Sequence, residues 1–360
     1  MKVLFDYQIF TQQEYGGVSR YYIELKQELE KNKDCFIDIK VLFPKNEYLE
    51  KKLHRRTFPL KNKYWNLFVE IINKVYDLLL CIFLKYDIVH LTWNARYLNN
   101  VCEGKLIVTI HDMIHELFMK DATIEIRNKK RAIEDSTLII ADSYSTKNDI
   151  LSIYPDVDEE KIKVVYLGTN HLPLPKKPIG ISLPKNYLLY VGKRDGYKNG
   201  LFYMTCIEKI LANNHNLCFI FAGGGSWSKE EQNIVDKFGD RILQLQVADA
   251  ELAYLYQNAI AFVYPSLYEG FGLPILEAFD NHCPVICSNT SSLPEVGGDA
   301  ALYFDPTEKK ELIDQIMKII NNPDLRNEMI KMGVERTKLF TWENTAKEIY
   351  EIYKTLSSEG

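Results

Sequence analysis

Pro265-Ser266-Leu267-Tyr268-Glu269-Gly270-Phe271-Gly272-Leu273-Pro274-Ile275-Leu276-Glu277-Ala278 is the stretch on which the reading of this chain turns. The apolar run Ile260–Tyr264 before it reads as a strand, and the run empties into a loop with two glycines. Pro274 then sits at the first position of a helix, where its missing N–H costs nothing. Glycines let the backbone approach a ligand closely, and the N–H groups and dipole of a helix N-terminus attract an anion. Glu269 precedes this cradle, and Glu277 is expected in the first helical turn after it. A carboxylate is a poor neighbour for phosphate but a good acceptor for sugar hydroxyls. Two carboxylates flanking an anion site point to a ligand with phosphate at its centre and a sugar at each end, a nucleotide sugar.

Outward from this stretch the chain alternates strand and helix patterns. Strands are expected at Lys2–Phe5, Ile37–Phe43, Ile88–Leu91, Leu106–Ile110 and Leu138–Ala141, with helical spacing between them, as in Ser19–Glu30. Around 168–186 the pattern breaks: Gly168, four prolines at 173, 175, 178 and 184, and Lys176-Lys177 make a linker composition. Alternation resumes with Tyr187–Val191, Cys218–Ala222, Ile260–Tyr264 and Pro284–Ser288. Repeated strand-helix-strand units imply parallel sheets covered on both faces. The expected class is therefore α/β: two doubly wound, Rossmann-like domains, 1–172 and 173–340. Trp342–Leu356 reads as an amphipathic helix, and 341–360 is expected to pack back on the first domain. In such sheets ligands lie beyond the carboxyl ends of the strands.

Composition narrows the rest. With 360 residues, 46% hydrophobic and 26% charged, the chain is neither disordered nor disulfide-stapled. Its net charge of −5 does not favour nucleic acid. No run approaches a membrane span, and Met1 leads into Val3-Leu4-Phe5 without the pattern of a signal peptide. Seven cysteines without a CxxC pair suggest reduced thiols and a cytoplasmic location. Lys51, Lys52, Arg55, Arg56, Lys61 and Lys63, with no acid from 51 to 63, precede Tyr64-Trp65 and an apolar-rich stretch through Leu84. This is either a solvated loop before a buried helix or a patch for an anionic membrane surface.

The opening stretch resembles the E-x7-E signature of retaining glycosyltransferases of family 4, and the surrounding PSxxEGFGLPxLEA pattern is matched almost throughout. The resemblance implies the GT-B fold, with an inter-domain cleft between donor-binding and acceptor-binding halves. Three further segments carry it. Val191-Gly192-Lys193-Arg194-Asp195-Gly196-Tyr197-Lys198-Asn199 is similar to the family's basic loop on the donor diphosphate; Lys198 matches the family lysine, and the second cation is Lys193 or Arg194. Tyr15-Gly16-Gly17-Val18-Ser19 resembles the glycine loop of the first domain, with Gly16 and Gly17 facing the diphosphate. His111-Asp112 ends a strand; the resemblance implies that His111 faces the sugar and leaving group while Asp112 fixes the loop.

Other segments are less decided. Gly223-Gly224-Gly225 is either a plain turn or a close approach of Gly223 to base or ribose. Ser288 to Asp305 reads as scaffold for the donor pocket. Two departures from the family pattern stand out. His282 replaces a glycine before Pro284-Val285, at a helix end that demands a positive φ. Leu245-Gln246-Val247 replaces a Gly-x-Val whose valine backbone meets the base, so Val247 leaves the base open. Asp156-Val157-Asp158 mimics a metal-binding DxD but reads as a helix N-terminus.

The expected function is transfer of a hexose, with retention, from a UDP-, GDP- or dTDP-sugar to a saccharide or lipid-linked acceptor, in the manner of bacterial surface polysaccharide synthesis. No metal and no cofactor is called for. His111, Glu269 and Lys198 are the expected catalytic residues. Gly270, Phe271, Gly272 and Leu273 offer backbone to the diphosphate, and Glu277 offers its carboxylate to the ribose. A sugar-nucleotide epimerase on the same fold and a catalytically silent nucleotide-sugar-binding subunit are the alternatives. The location is cytoplasmic, with peripheral contact on the inner membrane face as the further expectation.

Overall fold

The computed structural model describes residues 1–358 except 15, 54–62, 94–97, 99–102, 170–171, 179 and 181, and omits the side chains of 51–53 and 63. Most of the basic segment 51–63 therefore lies outside the described residues. Contacts divide the chain into two units, Met1–Gly168 with Trp342–Gly360, and Thr169–Thr341.

In the first unit, strands β1 (Lys2–Phe5), β2 (Phe36–Ile39), β3 (Ile88–Leu91), β4 (Lys105–Ile110), β5 (Leu138–Ala141) and β6 (Ile162–Val164) form one sheet in the order β2-β1-β3-β4-β5-β6. Every pairing is parallel. In the second, β7 (Tyr187–Val191), β8 (Cys218–Ala222), β9 (Ile242–Leu245), β10 (Ala261–Tyr264), β11 (Val285–Ser288) and β12 (Ala301–Phe304) run β12-β11-β10-β7-β8-β9, again all parallel. The central strands are apolar on both faces because helices cover both faces: β3, β5, β10 and β11 are buried at every residue. Two α/β doubly wound units result.

Each sheet reverses its winding once, between β1 and β3 in the first unit and between β7 and β10 in the second. There the loops after two neighbouring strands part to opposite faces and leave a crevice at the strand ends. The loop after β7 carries Lys198 and the loop after β10 carries Glu269, so the second crevice lies between the two most informative sequence motifs.

The helix Trp342–Ser358 belongs with the first unit. Its buried face holds Ile349, Tyr353 and Leu356. The Tyr353 hydroxyl bonds the Nδ1 of the core residue His90, and the Thr345 hydroxyl donates to the Tyr166 carbonyl at 2.7 Å. Gly168 permits the close approach of the helix start: a Cβ there would lie 2.4 Å from the Trp342 nitrogen.

Two expectations are corrected. The strand expected over Ile37–Phe43 ends at Ile39. The backbone N–H and C=O of Leu42 turn instead to the Asn73 side chain, at 2.6 and 2.8 Å, and Phe43 adopts a φ of 53°. The thiols are not all reduced, because Cys81 is disulfide-bonded. Cysteine spacing along a chain carries no information on which sulfurs folding brings together. Cys35, Cys206, Cys218, Cys283 and Cys287 are free.

Candidate functional site

The loop after β7 is shaped by residues that only its local geometry explains. Gly192 and Gly196 take φ values of 103° and 55°, and Asn199 is left-handed at 59° as it caps the helix Gly200–Asn213. Asn is one of the few side chains that tolerate this region. Its amide anchors the turn by donating to the Pro306 carbonyl at 2.9 Å. The single 3-10 turn Gly196–Lys198 between these residues delivers Lys198 to the crevice.

There Lys198 meets Glu269. Its Nζ donates to both carboxylate oxygens, at 2.7 and 3.0 Å, and to the Tyr264 hydroxyl at 3.3 Å. Glu269 is buried. Burial first, and then the Glu269 carboxylate, push the Tyr264 phenol well above its ordinary value. The loop that carries Glu269 is braced from the segment after β11. Glu269 N–H donates to the Ser291 hydroxyl at 2.9 Å, and the Ser292 hydroxyl donates to the carbonyls of Glu269 and Phe271 at 2.9 and 2.8 Å. The Thr290 hydroxyl adds a bond to the Leu267 carbonyl at 3.1 Å.

Gly272 then caps the helix Leu273–Asp280 with φ 107°, a conformation L side chains rarely adopt. Leu293 lies 3.0 Å from where its Cβ would stand. Because the helix starts at Leu273, Glu277 is its fifth residue and falls in the second turn rather than the first. Glu277 is half-buried, and after burial itself its carboxylate is the next cause holding the Tyr256 phenol well above the ordinary value. The helix ends in a Schellman motif: Cys283 N–H bonds the Ala278 carbonyl and His282 N–H that of Phe279, with His282 itself at φ 58°. The strain expected at His282 is present.

The cations before Lys198 differ sharply. Lys193 is exposed, whereas Arg194 is buried. Arg194 Nε pairs with Glu231 at 3.0 Å, and its Nη2 donates to the carbonyls of Gly225 and Ser226 at 3.1 and 2.9 Å. Its guanidinium lies 3.9 Å over the Trp227 ring. Arg194 thus ties the loop after β7 to the glycine loop after β8. Gly224 is required there, since a Cβ would fall 2.1 Å from Arg194 Nη1, itself buried without a hydrogen-bond partner. Gly223 anchors the other side, donating to the Leu245 carbonyl at 2.8 Å and accepting from the Gln244 amide at 2.8 Å.

A cavity of about 960 Å³ opens beside these loops, lined by Lys193, Arg194, Gly224, Gly225, Trp227 and Gln246 among others. Val247 is half-buried and does not line it; neither do Lys198, Glu269 and Glu277. Trp227, Glu231 and Gln246 had no motif to announce them. Gln246 falls on the variable position of the Gly-x-Val pattern, where Leu245 replaces the glycine, so no departure pointed to it.

In the first unit, Gly16 and Gly17 open the helix Gly17–Leu29 after β1, and the space a Gly17 side chain would fill is empty. His111 follows β4. Its Nδ1 lies 2.6 Å from the Asp142 carboxylate at the end of β5, and its buried Nε2 has no hydrogen-bond partner. Burial works against a charged ring, but the Asp142 carboxylate outweighs it and His111 is held above the usual histidine range. Tyr21 packs edge-on at 5.1 Å. Asp112 accepts the Ile114 N–H at 3.0 Å and fixes the loop. His90, nearby in the core, is the contrasting histidine, pushed down to about 3 by burial and then by His111. Asp158 caps the turn Glu159–Lys161 by accepting from Glu160 N–H at 3.0 Å. Among the described residues no cluster of three or more His, Cys, Asp or Glu side chains is placed to hold a metal ion.

Comparison with known proteins agrees with this picture. The family model "Glycosyl transferases group 1" matches residues 175–336, and "Glycosyltransferase Family 4" matches residues 15–171. O-antigen chain mannosyltransferase B of Escherichia coli is 30% identical over 239 residues, 62% of each chain. O-antigen chain mannosyltransferase RfbU of Salmonella typhimurium is 31% identical over 223 residues, 60% of this chain and 61% of that one. The aligned region thus spans about three-fifths of these relatives. Sucrose-phosphate synthase from Thermosynechococcus elongatus shares the fold, with a TM-score of 0.75 over 100% of this chain and 99% of that one at 20% identity. The chain belongs to the group 1 glycosyltransferases of the family 4 type and has the GT-B fold.

Proposed function

We propose that this enzyme transfers a hexose from a nucleotide diphosphate sugar to a saccharide or lipid-linked acceptor, with retention and without a metal. The observation that carries the reading is the Lys198–Glu269 pair, set at the crevice where the second sheet reverses and followed by the helix N-terminus at Gly272–Leu273. A cation, a helix terminus and two carboxylates beyond the carboxyl ends of the central strands match a ligand of sugar, diphosphate and sugar. Relatives named as O-antigen mannosyltransferases make mannose the sugar to test first.

On this reading the donor diphosphate approaches Lys198 and the first turn of the helix Leu273–Asp280. Charge builds on the departing phosphate as the glycosidic bond breaks, and fixed cations and dipoles stabilise that charge without reorganising. Phosphate competing for Lys198 releases Glu269 to accept from hydroxyls of the transferred sugar. Glu277 accepts from the ribose. Lys193, exposed on the cavity rim, is the second cation for the diphosphate, and Arg194 holds the two loops together. The base enters the cavity beside Gly224 and Gln246. In the first unit His111 offers Nε2 to the sugar while Asp142 holds Nδ1.

A cytoplasmic location, peripheral on the inner membrane face, belongs to the same proposal. The test is transfer from GDP-, UDP- and dTDP-sugars in the presence of EDTA, with the anomeric configuration of the product read by NMR. Retained configuration and chelator-resistant turnover support the proposal. Inversion, or loss of turnover restored by Mn²⁺ or Mg²⁺, refutes it.

A further inference from the structure

The inward face of the helix Lys63–Leu84 mixes buried Val69, Leu80 and Cys81 with two polar residues, Asn73 and Asp77, both 0% exposed. Asn73 accepts from Leu42 N–H at 2.6 Å and donates to the carbonyls of Leu42 and Val69, both at 2.8 Å. Asp77 accepts from Tyr7 N–H at 3.3 Å. Polar bonds therefore fasten the helix to its own unit. The face turned to solvent carries Tyr64, Leu67, Ile71, Val75, Leu79 and Ile82, with exposures from 45% to 85%. At about 100° per residue these six fall within roughly one third of the circumference, and no charged residue lies among them. Glu70 and Lys74 flank the stripe. A surface helix ordinarily does the reverse, and an exposed apolar face of this length marks a docking surface.

We propose that this face lies in the headgroup region of an anionic bilayer, the helix parallel to the membrane plane. Charge complementarity selects this occupant. The thirteen residues 51–63 carry six cations and no acid in a chain of net charge −5, and they lead straight into the helix. Aromatic rings gather at the same end: Trp65 packs 5.5 Å from both Phe43 and Phe68, beside exposed Tyr64. A run of cations that precedes Tyr and Trp in the sequence, ahead of an apolar helical face, is the composition of an interfacial helix. Crossing is excluded among the described residues, where no helix is long and apolar enough. The stripe is about 27 Å long at 1.5 Å per residue, enough to seat the first unit on a membrane rather than tether it. The proposal rests on the lipid-linked arm of the functional reading only for the presence of a bilayer, and it is measured without donor or acceptor.

The experiment is co-sedimentation of the full chain with neutral phosphatidylcholine vesicles and with vesicles containing about 30% phosphatidylglycerol, in low and high salt. The wild type is expected to sediment with the anionic vesicles and to be released as salt rises. The variant Ile71→Glu/Val75→Glu/Leu79→Glu should bind at least about tenfold more weakly, since each charge must enter the apolar boundary. Thermal shifts with GDP, UDP and dTDP, run in parallel, show that the variant folds and separate failure of this proposal from failure of the donor reading. A wild type that ignores anionic vesicles at low salt overturns the proposal, as does a triple variant that binds like the wild type. If gel filtration then shows a wild-type dimer and a monomeric variant, the face belongs to a second copy of the chain.

Discussion

Lys198 donates to both oxygens of Glu269, so the cation expected to meet phosphate and the carboxylate expected to meet sugar are each other's partner. The two roles are coupled, because whatever takes one releases the other.

The coupling makes opposite forecasts for the two residues. Lys198→Ala removes a charge-assisted hydrogen bond of about 1.5–3 kcal/mol. Nucleoside diphosphate affinity should fall roughly 10- to 150-fold while nucleoside affinity barely changes. Glu269→Gln leaves the cation unneutralised, so the diphosphate should bind more tightly, by roughly tenfold, while transfer collapses. Calorimetry on both variants decides, and weaker diphosphate binding by Glu269→Gln would break the argument.

Lys193 and Arg194 should separate in the same way. Arg194→Ala strands Glu231 in the interior, and breaking a buried pair costs about 3–5 kcal/mol. Lys193→Ala should leave the urea midpoint unchanged and weaken diphosphate binding alone. Denaturation curves for the two variants provide the comparison.

The His111–Asp142 pair predicts a pH dependence. The folded ring holds its proton more tightly than an unfolded histidine does. Its contribution to stability is therefore complete below the ordinary histidine value, about 6.5, and is lost as pH climbs through the raised one. Wild-type stability should decline from pH 6 to pH 8 more than that of Asp142→Asn, in which the ring loses its carboxylate. Parallel urea titrations with equal slopes would show that the pair does not titrate in this window.

His282 stands at a left-handed helix end where glycine costs nothing. His282→Gly relieves a strain of about 1–2 kcal/mol, offset by glycine's extra entropy of about 0.5–1 kcal/mol. A gain of up to about 1.5 kcal/mol raises Tm by roughly 2–4 °C for each kcal/mol in a unit of this size. A lower Tm in calorimetry would mean that the imidazole makes a compensating contact.

Most of this architecture was legible before folding. Strands buried on both sides read as short apolar runs, and the Glu269–Glu277 stretch announced its own turn and helix start. What escaped had local causes. The strand Ile162–Val164 is three residues with a lysine in the middle, too short for any period to show. Arg194 and Lys193 are adjacent cations in sequence, and only tertiary structure supplies the Trp227 ring and Glu231 carboxylate that distinguish them. The period of Lys63–Leu84 gives an amphipathic helix but not which face turns inward. The decision rests with Asn73 and Asp77, whose backbone partners lie far off in the sequence.

The last helix also constrains how the chain is made. The unit Thr169–Thr341 is continuous and can close once Thr341 has been synthesised, whereas the first unit still lacks Trp342 against Gly168 and Tyr353 against His90. Domains usually mature from the N-terminus as they are translated. Here that order is inverted. The first unit lacks its last helix through the synthesis of the entire second unit, and loss of the seventeen-residue helix Trp342–Ser358 would damage the first unit.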